Sequence, residues 1–267
     1  MPRRSDTSTA GLLAFAHELA DASGKVILRH FRRHLSVENK AADGGYDPVT
    51  AADRDAEQAM RKLVQSRHPD HGFEGEEYGA DAVEARWRWV VDPIDGTRSF
   101  VLGLPTWGTL IGLTCAGAPV LGMMDQPYTR ERFWAAGHGA WFSGSDGRRR
   151  RLRTRSVGSL SDAMMTTTHP DLFTPGEESR GFARMKAKVR ACRYGGDCYA
   201  YCLLAAGHID VIVEAGLKSY DVAALVPIIE AAGGVITTWG GAPATTGGRI
   251  VAAGNSRLHA EALRLLG

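Results

Sequence analysis

From Thr9 to Leu35, apolar side chains return at Leu12, Phe15, Ala16, Leu19, Val26, Ile27 and Phe31. That three-to-four spacing predicts a long helix with one buried face, weakened slightly at its middle by Gly24. Lys40 to Pro48 is rich in Asp and Gly and reads as a loop. Thr50 to Arg67 predicts a second helix, stopped by His68-Pro69. The period then changes to that of strands: Gly72 to Glu76, Arg88-Trp89-Val90-Val91, Trp107 to Cys115, Val120 to Gln126, Glu131 to Ala135 and Ala140 to Phe142, with Asp81 to Arg86 as a polar connection. Ser143-Gly144-Ser145-Asp146-Gly147 has the composition of a hairpin loop.

Beyond that hairpin, strands and helices alternate. Strand-like segments are Ala163 to Thr167, Val189 to Tyr194, Ile209 to Glu214, Val235 to Thr237 and Ile250 to Ala253. Helical ones are Gly176 to Lys188, Asp197 to Ala206, Asp221 to Ala232 and Arg257 to Leu266. The chain therefore predicts an α+β first half with antiparallel strands (about 1–150) and an α/β second half (about 151–267), taken together as a single domain over 1–267.

Bulk properties exclude several classes. A net charge of +2 is too small to imply a polyanionic partner, and no run of eighteen apolar residues predicts a membrane span. Arg3-Arg4 invites comparison with a twin-arginine export signal, but His17 and Glu18 interrupt the following segment, so a cytoplasmic location is expected. The four cysteines contain no Cys-x-x-Cys pair, which argues against zinc. Cys198 and Cys202, one helical turn apart among apolar neighbours, read as free core thiols. One segment supports a rival, non-enzymatic reading. The run 148–155 holds six arginines and could bind nucleic acid or protein. No aromatics alternate with them, and the run follows a hairpin turn; a solvated strand is expected, and no nucleic-acid partner.

The stretch that carries chemistry is Asp92-Pro93-Ile94-Asp95-Gly96-Thr97. Pro93 holds Asp92 extended. Asp92 then ends the strand, Asp95 lies on the turn, and Gly96 and Thr97 open a short helix. Hard carboxylate oxygens beside a helix N-terminus suit Mg²⁺ and a phosphate together; a capped strand-to-helix turn is the plain alternative. Two other segments belong with it: Gly75-Glu76-Glu77, and Tyr220-Asp221-Val222-Ala223-Ala224 running on to Gly233-Gly234. Each has an ordinary reading too. Glu76 and Glu77 could be a solvated pair, Asp221 a helix N-cap, and Asp53 a helix-surface acid.

In order, separation and context, the three segments resemble the inositol monophosphatase superfamily of Mg²⁺-dependent phosphomonoesterases, over roughly Ala10 to the C-terminus. The resemblance implies a layered αβαβα sandwich, Mg²⁺ as cofactor, a small phosphate ester as substrate and a homodimer. It implies metal binding by Glu76, Asp92, Asp95, Asp221 and the Ile94 carbonyl. Glu76 and Thr97 would activate the attacking water, Asp53 would support Thr97, and the Gly96 and Thr97 amides would hold phosphate oxygens. Substrate contacts fall to Asp95, Gly196, Asp197, Glu214 and Asp221.

In inositol monophosphatases proper, the place of Asp197 is usually held by a small apolar residue and that of Tyr220 by Trp. Here Gly196-Asp197-Cys198-Tyr199-Ala200-Tyr201, Glu214-Ala215-Gly216-Leu217-Lys218-Ser219-Tyr220-Asp221 and Asp95-Gly96-Thr97-Arg98-Ser99-Phe100 resemble the histidinol-phosphatase branch. Histidinol phosphate carries an ammonium group and inositol is neutral, so an added carboxylate at Asp197 near Glu214 favours the cationic ester. Asp197 could instead only cap its helix. Hydrolysis of L-histidinol phosphate, late in histidine biosynthesis, is thus the expected reaction. An inositol-1-phosphate or broad sugar-phosphate phosphatase is the alternative.

Overall fold

The computed structural model describes residues 7–33, 37–40 and 48–267. Two helices, Thr9–Ile27 and Ala51–Arg67, form the first layer. Ser8 caps the first through Gly11 N–H, and Thr50 caps the second. The first helix ends at Ile27 rather than Leu35; its chain continues through tight turns to Arg33, while His34 and Leu35 lie outside the described residues, as does most of the Lys40 to Tyr46 loop.

The second layer is an eight-stranded sheet. Its spatial order is Arg149–Arg151, Ala140–Ser143, Glu131–Ala136, Ala118–Gln126, Gly108–Cys115, Trp87–Asp95, Gly72–Gly75 and Gly79–Asp81. All neighbours are antiparallel except Gly72–Gly75 against Trp87–Asp95, which run parallel. The expected polar connection at Asp81 to Arg86 begins inside the edge strand Gly79–Asp81. A small pair, Val37–Asn39 with Pro48–Thr50, stands apart.

Alternate positions along each strand of this sheet face different cores, as strand geometry requires. Val91, Ile111, Leu113, Leu121 and Met123 pack on the first two helices. Leu110, Met124 and Phe133 face the third layer, which holds helices Asp197–Ala205, Ser219–Val222 and Leu225–Ala231. The fourth layer is a five-stranded mixed sheet in the order Ala191–Tyr194, Met164–Thr167, Val211–Leu217, Gly248–Ala253, Val235–Thr238. Its first three strands are parallel and the rest antiparallel. Helices Glu177–Lys188 and Ser256–Leu266 close the far face over Val211, Val213 and Val251. The result is the layered αβαβα sandwich.

One predicted helix is divided. Asp221 to Ala232 becomes Ser219–Val222 and Leu225–Ala231, because Pro227 has no N–H to give the Ala223 carbonyl. The break lies directly on the large sheet. A Cβ at Gly122 would stand 1.8 Å from the Ala224 carbonyl oxygen, and one at Gly112 3.0 Å from Ala223. Two packed backbones cannot yield that much without repacking, so Gly122→Ala is expected to destabilise by at least about 2–3 kcal/mol, at the upper range of overpacking. Urea unfolding would measure it; a loss below about 0.5 kcal/mol would show that the helix break can lift off the sheet.

The arginine run pairs as the edge strand Arg149–Arg151 against Trp141, Phe142 and Ser143. Arg149 stacks over the Trp141 ring, Arg150 pairs with Asp146, and Arg155 is clamped on buried Asp210 by two bonds of 2.6 Å. Cys115, Cys192, Cys198 and Cys202 are free thiols, the last two buried. Among the described residues, no helix is long and apolar enough to cross a membrane.

Candidate active site

The central motif is built by a register slip. Asp92 pairs with Leu110 and Asp95 with Gly108, so three steps on one strand oppose two on its neighbour. That is a β-bulge, and it restores to Asp92 and Asp95 the shared face that residues three apart would otherwise lose. Pro93 sits within the bulge, where a missing N–H is tolerated. Asp95 is therefore still in the strand Trp87–Asp95, not on the turn after it as expected from sequence. The side chain of Ile94 is fully buried with Phe100 and Trp107 and anchors the bulge. Gly96 follows at φ 85°, ψ 41°, a left-handed conformation that starts the short helix Thr97–Val101.

Glu76 arrives from the parallel neighbour. Gly75 is in register with Val91, so the next residue, Glu76, runs beside Asp92 at the same end of the sheet. Buried Glu57 holds this corner by accepting the Glu77 and Tyr78 amides at 2.7 and 3.2 Å. Asp221 comes from the third layer. It is not the N-cap but the third residue of its short helix, and its Oδ2 accepts the Lys218 amide at 2.6 Å. Asp92, Asp95 and Asp221 each offer an oxygen within 4.8 Å of the others. Asp95 Oδ1 also accepts the Cys198 amide at 2.8 Å, at the start of helix Asp197–Ala205.

A cleft of about 180 Å³ unites these groups. It is lined by Glu76, Asp92, Ile94, Asp95, Gly96, Thr97, Asp197, Glu214 and Asp221, together with residues that sequence reasoning did not assign, Thr168 and Tyr201 among them. Thr168 fixes Glu214, its amide and hydroxyl donating at 2.9 and 2.7 Å. Ser99 Oγ donates to Asp197 at 2.8 Å. Such pairs join residues 46 and 98 positions apart and leave no local pattern to read.

Two expected site residues stand apart from the lining. Gly196 is the N-cap of helix Asp197–Ala205, so Asp197 does not cap that helix. Asp53 is buried, but its carboxylate accepts the Thr50 amide and hydroxyl at 2.9 and 2.6 Å, closing a capping box. The Thr97 hydroxyl donates to the Ile94 carbonyl at 3.0 Å instead of resting on Asp53.

The electrostatics are extreme. Six acids line the cleft, and among the described residues lining it none is Lys or Arg. Burial first, then the charges of Glu76, Asp95 and Asp221, hold Asp92 well above the usual carboxylate range. Burial and Asp221 do the same to Asp95. Burial pushes Asp53, Glu214 and Asp221 up to about 7. Lys40 relieves part of this, bridging Glu76 and Glu77 at 2.8 and 2.9 Å; burial opposes its charge, but the two carboxylates outweigh burial and push its pKa up.

Such a cleft repels a phosphate unless cations enter first. An all-oxygen donor set with three converging carboxylates suits a hard divalent ion and fits no soft-metal preference. Asp92, Asp95, Asp221 and Glu76 are the residues that could hold it.

Comparison with known proteins shows what the chain is similar to. The chain is 43% identical to the bifunctional phosphatase IMPL2 of Arabidopsis thaliana, covering 98% of this chain and 77% of that protein. It is 36% identical to a histidinol-phosphatase of Streptomyces coelicolor, covering 95% and 96%. The structure is similar to that of an inositol monophosphatase from Zymomonas mobilis, with a TM-score of 0.85, 41% identity, and coverage of 97% and 99%. Residues 9–266 match the inositol monophosphatase family, and with an acidic bulge, a parallel-strand Glu and a third-layer Asp converging as a phosphatase site would need, the chain belongs to that family.

Proposed function

We propose that the protein is a Mg²⁺-dependent histidinol-phosphatase that releases phosphate from L-histidinol phosphate in histidine biosynthesis, working in the cytoplasm as a homodimer. The observation that carries the substrate is the position of Asp197. Its carboxylate packs so closely on Gly96 that a Cβ there would stand 2.9 Å from it, its hydrogen bond comes from the neutral Ser99 hydroxyl, and burial outweighs that bond and the nearby Arg98 charge to hold its pKa up. A carboxylate against the expected phosphate loop serves no phosphate; with Glu214 in the same cleft it suits the ammonium end of an amino-alcohol phosphate. Similarity to histidinol-phosphatases, at 36% for the Streptomyces protein, supports the same reading.

A divalent cation held by Asp92, Asp95, Asp221 and Glu76 supplies charge neutralisation, water activation and stabilisation of the departing alkoxide. The residues divide the remaining work. Thr97 gives its own hydroxyl proton to the Ile94 carbonyl, so its oxygen is left to accept from the attacking water, and Glu76 can receive the proton. The first amides of helix Thr97–Val101 have no intrahelical acceptor and can hold phosphate oxygens. In-line attack by water inverts phosphorus.

The test is phosphate release with Mg²⁺ from L-histidinol phosphate and from inositol-1-phosphate. The expected kcat/KM ratio is at least about a hundredfold in favour of the first, as for about 3 kcal/mol from one well-placed charge pair, and Asp197→Ala removes most of it. Equal turnover of both esters would leave a phosphatase and discard the substrate.

A further inference from the structure

Tyr201 has a hydroxyl with no partner. The residue is 2% exposed, its oxygen is out of reach of bulk solvent, and no hydrogen bond satisfies it. It lies in helix Asp197–Ala205, one turn beyond Asp197, and lines the acidic cleft. Burial, followed by the charges of Glu214, Asp95 and Asp221, pushes its pKa well up, so it is a neutral phenol facing carboxylates. Glu214 in turn feels Asp197. The three oxygens, from two elements, line the same cleft, and a buried hydroxyl left unpaired points to a partner arriving with the ligand.

We propose that Tyr201 is a substrate-binding residue, its hydroxyl oxygen completing with Asp197 and Glu214 a three-acceptor receptor for the ammonium group of the phosphate ester. This rests on the cationic-substrate reading above. An ammonium has three N–H donors and no acceptor, so three oxygens match it. The phenol adds the third acceptor without a third negative charge beside the phosphate.

Tyr201→Phe removes one oxygen and keeps the ring. Steady-state kinetics with L-histidinol phosphate and with glycerol 1-phosphate, a neutral-headed ester, separate the possibilities. KM for L-histidinol phosphate is expected to rise about tenfold with kcat within about twofold, while glycerol 1-phosphate kinetics and the Mg²⁺ dependence change less than about twofold. The melting temperature should hold or rise, since an unsatisfied buried group is gone. Equal losses for both esters with a lower melting temperature would mean a structural residue and overturn the proposal. A wild-type preference for L-histidinol phosphate that survives unchanged in Tyr201→Phe would overturn the receptor alone. A wild type without that preference would overturn the receptor and the function reading together.

Discussion

Asp95→Asn is expected to lower kcat/KM by at least about a thousandfold toward any phosphate ester, because the charge stabilisation a bound divalent ion contributes is several kcal/mol. The substitution isolates charge. Asn keeps a side-chain carbonyl to accept the Cys198 amide that Asp95 accepts at 2.8 Å, so the contact between the bulge and helix Asp197–Ala205 survives. It removes one of three carboxylates that lie within 4.8 Å and repel one another. The metal-free variant should therefore melt no lower than the wild type, which separates lost catalysis from lost folding. Turnover with Mg²⁺ and a thermal melt without it would make the comparison. Retention of more than about a tenth of the activity would sink the assignment of Asp95 as a ligand.

Magnesium should stabilise the fold, and by more at pH 7.5 than at pH 5.5. The sign follows from the acids. Asp53, Glu214 and Asp221 titrate near 7 in the metal-free fold, above their ordinary values, chiefly because they are buried. Between about pH 4 and 7 the folded chain thus holds more protons than the unfolded one, so metal-free stability is fully present below the unfolded values and falls as pH rises through the folded ones. A cation held by Asp92, Asp95 and Asp221, all raised by burial and neighbouring carboxylates, needs their deprotonated forms and competes with their protons. At about a hundred times its dissociation constant it adds about 2.7 kcal/mol, or roughly 5–10 °C for a chain of this size. Scanning calorimetry at both pH values, with Mg²⁺ and with chelator, would test this. A shift that is the same at both, or that persists in Asp95→Asn, would place the bound ion elsewhere.

The same acidic cluster shows where sequence reading reaches its limit. The amphipathic first helix, the strands from Trp107 to Phe142 and the hairpin at Ser143 to Gly147 were legible because their signals are local: side-chain period and turn composition. So were Asp92, Asp95, Glu76 and Asp221 as candidates, because the spacing of the acidic motif and its flanking strand and helix are written along the chain; the structure brings the four into one cleft. The resemblance to a family supplied the roles proposed for them.

Tertiary structure decided what depends on pairing. The bulge that turns Asp92 and Asp95 to one side exists only against Leu110 and Gly108. The division of the helix after Asp221 follows from Pro227 locally, but its seat on Gly112 and Gly122 does not. Asp53 read as a support for Thr97, yet the nearest acceptor geometry gave it to Thr50. Thr168 beside Glu214, Ser99 beside Asp197 and the unpaired hydroxyl of Tyr201 carry no signal at short range, since each acquires its meaning from a residue or a cleft far along the chain. Sequence by itself determined which groups could do the chemistry; packing of five layers determined which face one another, because burial and hydrogen bonding act between neighbours in space.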